Sequence, residues 1–132
     1  MASFIFSLIA RLPLGLVQRF GVLAGWLTYL LSPTYRRRLR ANLDHALGPD
    51  EAARVWRRAV GETGKQALEM PWMLLRPQAD LVARIVRTSG WEHVEAAWAA
   101  GRGIVFLTPH LGCFEITAQY YASRRPITVL YR

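Results

Sequence analysis

A single cysteine, Cys113, leaves the chain no internal disulfide framework and says little about its compartment. Nor is there an internal repeat or low-complexity tract, which excludes solenoids and disordered tails. Acidic residues are few, nine against 17 basic, and the formal charge of +8 favours an anionic partner: nucleic acid, phospholipid headgroups or a phosphorylated substrate. Aromatic rings do not alternate with the basic clusters in a stacking pattern, so no nucleic-acid partner is expected. No basic residue precedes the first apolar run and no clean small-x-small site follows the second, which argues against a cleaved signal peptide. At 132 residues the chain suits one domain and not two.

The amino-terminal 34 residues are the most apolar part. Leu, Ile, Val, Phe and Ala dominate positions 4–31, yet Arg11, Pro13, Gln18 and Arg19 interrupt them. The longest uninterrupted run, 20–31, spans about 18 Å as a helix, against a hydrocarbon core of about 30 Å. A crossing by the whole segment would bring Arg19 near mid-bilayer, at about 2.5 to 3.5 kcal/mol. At helical spacing Ser7, Arg11, Gly15 and Gln18 share a stripe that Leu8, Leu12, Leu16, Phe20 and Leu23 avoid. The favoured expectation is a membrane-docked helix pair broken near Pro13. An oblique span is the close competitor, and a buried core helix of a soluble protein is the bland one. Arg36, Arg37, Arg38 and Arg40 follow immediately, where a basic cluster meets an anionic cytoplasmic leaflet; Trp26 and Tyr29 nearby suit its interface.

Residues 35–132 form the expected second region. Leu39, Leu43 and Leu47 recur every four residues in a short helix ended by Gly48-Pro49, and Asp50 opens a longer one. Along it Val55, Trp56, Ala59, Val60, Thr63 and Ala67 share a face, and Pro71 and Pro77 bracket the apolar knot at 72–75, which reads as packing. A helix over 91–100 stops at Gly101. Residues 104–108 then read as a buried strand, 114–122 as a helix and 127–131 as a second strand. The expected fold class is therefore α/β: membrane-associated helices, further helices, then a βαβ unit beginning a helix-covered mixed sheet, with a site beyond the first strand. Because the last strand has no turn or cap behind it, a truncated chain, inactive by itself, is expected.

His110 stands at that lip. In one continuous helix His110 and Glu115 would be rotated about 140° apart, so a bend at Pro109 and Gly112 has to bring them together. A carboxylate holding one ring nitrogen leaves the other to accept a proton from an alcohol. One His and one Glu at this spacing also arise by chance, and a solvated loop histidine is the commoner outcome. Cys113 as a thiol nucleophile is disfavoured, since a cysteine between Gly112 and Phe114 is more often a packing residue. No metal is expected, because His45 and His93 are too remote to complete a site with His110, Cys113 and Glu115.

The block His110-x-x-x-x-Glu115 after an apolar run resembles that of the glycerolipid acyltransferase superfamily, and its Glu form resembles the late, lauroyl- or myristoyl-type acyltransferases of lipid A biosynthesis. Leu12-Pro13-Leu14, Asn42-Leu43, Gly90-Trp91-Glu92-His93, Gly101-Arg102-Gly103-Ile104-Val105 and Val129-Leu130-Tyr131-Arg132 look like that family in order, so the resemblance spans nearly the whole chain. Cys113 and Phe114 depart from it, standing where Asn and Trp are usual. The resemblance implies His110 as general base, Glu115 as its orienting partner, and Arg132 with Tyr131 as candidate substrate contacts. It also implies a hydroxyl of a membrane lipid A precursor as acceptor and acyl carrier protein, or acyl-CoA, as the acyl co-substrate without a further cofactor, on the cytoplasmic side of the inner membrane. A phospholipid-type acyltransferase and a non-catalytic basic membrane module stay open as alternatives.

Overall fold

The computed structural model describes residues 2–130, with side chains from Phe6 onward. Its elements are α1 (Ala2–Arg11), α2 (Leu14–Leu31), α3 (Pro33–Leu47), α4 (Pro49–Leu74), α5 (Gln78–Val82), α6 (Trp91–Ala99) and α7 (Glu115–Ala122). They fall into two compact units, Met1–Arg76 and Pro77–Arg132.

In the first unit the apolar segment breaks at Leu12-Pro13, as proline's missing N–H and fixed φ require. The carbonyls stranded at the end of α1 are satisfied from the end of α4 and the residues just past it: Trp72 Nε1 donates to Leu12 O at 2.9 Å, and Arg76 donates to Ala10 O at 2.8 Å and Leu12 O at 3.1 Å. Gln18 meets Glu69 of α4 at 2.8 Å, which accounts for one polar interruption of the apolar run.

α2 buries Val17, Gly21, Gly25 and Tyr29, four residues apart, while Leu16, Phe20, Leu23, Leu27 and Leu30 face outward from the opposite side. The facing stretch of α4 buries Val60, Gly61 and Gly64. Backbones nearly touch here. A methyl on Gly21 would stand 2.6 Å from Lys65 Cα, one on Gly64 2.7 Å from Gly25 N, and one on Gly25 would collide with Val60 O. Small residues at i and i+4 permit this approach. The apolar periodicity that located α2 does not register them.

α3 starts with Ser32 Oγ accepting from Tyr35 N at 3.2 Å and Pro33 in the first turn. It ends at Gly48, whose φ of 78° suits glycine; α4 then opens on Pro49 with Asp50 and Glu51 at its positive end. Pro71 does not bracket a separate knot as the sequence suggested. It lies inside α4, which runs on to Leu74.

In the second unit α5 and α7 are joined by Gln78 donating to Gln119 O at 3.2 Å. Tyr121 is buried against Phe106 and Trp91, with ring centroids 4.8 and 6.1 Å away. The α/β expectation fails here: among the described residues there is no strand, so no βαβ unit and no mixed sheet. Residues 104–108 and 127–130 form no regular element, and among the described residues no backbone hydrogen bond pairs them with each other or with a neighbour. Val105, Leu107 and Leu130 are 89%, 92% and 97% exposed rather than buried. β-branched composition favours an extended backbone, but only a ladder of neighbours makes it a sheet.

Candidate active site

His110 lies in the loop between residue 104 and α7. Pro109 O accepts from Leu111 N at 2.9 Å, tightening the chain just past the histidine, and Gly112 takes φ 58°, which any Cβ would resist. The expected bend between His110 and Glu115 is therefore present. Past it, Cys113 O and Phe114 O accept from Ile116 N and Thr117 N, and Thr117 Oγ1 donates to Phe114 O at 2.7 Å, starting α7.

Glu115 is the first residue of α7, where the helix's free N–H groups favour a carboxylate, and it is half-buried. His110 is exposed; its ring lies against Phe114 with centroids 4.2 Å apart. No hydrogen bond or ion pair joins His110 to Glu115. The loop thus places an imidazole and a carboxylate on either side of one turn, with Phe114 against the imidazole. Phe114, one of the two departures from the resembled pattern, supplies a ring contact that spacing alone did not suggest. Cys113 is half-buried in the same turn. Tyr131 and Arg132, the expected substrate contacts, lie outside the described residues. Among the described residues no group of three or more His, Cys, Asp or Glu side chains could hold a metal ion.

The basic cluster is better ordered than its sequence suggests. Arg40 Nε donates to the buried Tyr29 hydroxyl at 3.1 Å, and its guanidinium lies 3.6 Å from the centroid of the Trp56 ring. Trp56 also stacks on Tyr29 at 5.3 Å and meets Trp26 edge-on at 5.9 Å. Sequence periodicity put Trp56 only on the packed face of α4. Its role beneath an arginine depends on how α3 crosses α4, which no single-helix pattern encodes.

α2 is 18 residues long with mean hydropathy 1.3, the one described helix long and apolar enough to cross a membrane. Compared with known proteins, the chain matches a family model described as bacterial lipid A biosynthesis acyltransferase over residues 1–132. No curated protein sequence and no solved structure matches it.

Proposed function

This chain belongs to the family of bacterial lipid A biosynthesis acyltransferases, and we propose that it moves a fatty acyl group from the thioester of acyl carrier protein to a hydroxyl of a lipid A precursor. The observation that carries this reading is the family match across all 132 residues together with a histidine and a glutamate flanking one glycine turn at the start of a helix. In the proposed step His110 accepts the acceptor's hydroxyl proton as the oxygen attacks the thioester carbonyl. The C–S bond then breaks, and the proton passes from the imidazolium to the leaving thiolate. Glu115 closes onto the imidazole when the acceptor is bound, fixing its tautomer; such contacts often tighten only in the complex. Tyr131 and Arg132 are the candidates for contact with the acceptor, arginine matching a phosphate with two parallel donors.

The proposed location is the cytoplasmic face of the inner membrane, with α2 lying in the interface rather than across the bilayer. Support comes from its two sides. The outer side is a continuous row of leucines and Phe20, whereas the inner side is fixed to α4, which carries Arg54, Arg57, Arg58 and Glu62 exposed. Drawing α2 through the hydrocarbon would take those charges with it, at a few kcal/mol for each. Lying flat submerges the leucines and keeps α4 wet.

The test is acyl transfer by the full-length protein in lipid vesicles. His110→Ala is expected to lower the rate by about a hundredfold to ten-thousandfold and Glu115→Gln by less, both leaving vesicle binding unchanged. Activity retained in His110→Ala would end the general-base reading.

A further inference from the structure

We infer that Arg40, with Arg36 and Arg57 beside it, forms a preformed clamp for the phosphate of an anionic phospholipid headgroup. This rests on the membrane-docking reading above and adds a specific ligand contact to it.

The geometry of Arg40 is the first reason. Its guanidinium is fixed by the indole of Trp56 at 3.6 Å and by the Tyr29 hydroxyl, which takes up Nε–H. The two terminal nitrogens keep four N–H donors in one plane, the fork that grips two phosphate oxygens at once. An exposed arginine ordinarily loses rotamer freedom on binding; here stacking has already removed it. The platform is rigid in turn, because Trp56 is held by Tyr29 and Trp26.

Charge is the second. Arg36 sits 5.9 Å from the Tyr29 ring and Arg57 4.7 Å from the Trp56 ring, so three cations surround one aromatic cluster. Among the described residues none of Arg36, Arg37, Arg38, Arg40 or Arg57 makes an ion pair. A positive cluster without its own carboxylates is complementary to an anion.

Position decides which anion. Leu27, Leu30 and Leu31, exposed on the last turns of α2, directly precede the cluster, and Trp26 and Tyr29 stand at the boundary. Apolar face, aromatic ring and arginine follow one another over one helix end, as hydrocarbon, interface and phosphate do in a bilayer.

The experiment is sedimentation of the full-length protein with vesicles of phosphatidylcholine alone or with added phosphatidylglycerol. Wild type is expected to prefer the anionic vesicles. Arg40→Lys keeps the charge but loses the fork and the stack, and should bind them about tenfold more weakly. Arg58→Lys, on an exposed arginine of α4 outside the cluster, should bind as wild type does. Equal binding by Arg40→Lys and wild type, or equal loss in both lysine variants, overturns the clamp and leaves only diffuse charge attraction. Should Arg40→Lys fail to fold by circular dichroism, Tyr29→Phe keeps ring and charge and should lose about threefold, with no loss counting against the clamp. Displacement by millimolar inorganic phosphate would make a free anion the ligand and overturn the lipid assignment. If wild type binds no vesicle, the docking reading falls and the clamp with it.

Discussion

The two units solve the same problem, covering an apolar chain, by different means. In Met1–Arg76 each helix satisfies most of its own backbone and needs only a complementary face and a few contacts at its ends, so Val17, Val60 and Met73 are fully enclosed by α2 and α4 and their neighbours. In Pro77–Arg132 the most apolar stretches belong to no helix or strand, and with no ladder partner Val105, Leu107 and Leu130 keep their side chains in solvent. A helix is a local decision that one neighbour can stabilise. A strand is a collective one.

Three stability measurements would break or sharpen that contrast. The largest effect is expected from Gly64→Val, whose side chain would be driven into the backbone of Gly21 and Gly25. We expect a loss of about 3 kcal/mol or outright unfolding in thermal denaturation followed by circular dichroism, and a melt like wild type would mean the helices are not in backbone contact. Trp72→Phe keeps an aromatic side chain, smaller by the pyrrole ring, and leaves the Leu12 carbonyl with one donor fewer; it should cost about 1 to 2 kcal/mol by denaturant titration. The smallest concerns Leu107→Ser. If the segment is exposed as described, stability should move by less than about 0.5 kcal/mol, whereas a buried strand would lose several times that.

The sequence was readable where structure is local. Pro13, Gly48-Pro49 and Gly101 marked their helix boundaries because φ restriction and a missing N–H act on the residue that carries them. A turn at Gly112 was readable for the same reason, although it does not join His110 to Glu115 as the spacing required. What escaped was relational. Gly21, Gly25 and Gly64 matter only because two helices approach closely, Trp56 only because α3 brings Arg40 over it, and Phe114 only because the loop folds the imidazole onto its ring. Pro71 was misread as a boundary because a long helix with tertiary support tolerates a proline that an isolated one would not. The βαβ expectation failed for the converse reason: composition at 104–108 stated a preference that no neighbouring chain fulfils.

The cross-brace from Trp72 and Arg76 to the end of α1 sets an order of events during synthesis. Arg76 is 66 residues downstream of Ala10, a separation that takes about three to thirteen seconds to translate at about 5 to 20 residues per second. Until then the first two helices have been made without the residue that completes the tie at their junction. In that interval the outward apolar faces of α1 and α2 have no cover from the chain itself, so the brace closes a junction made long before it.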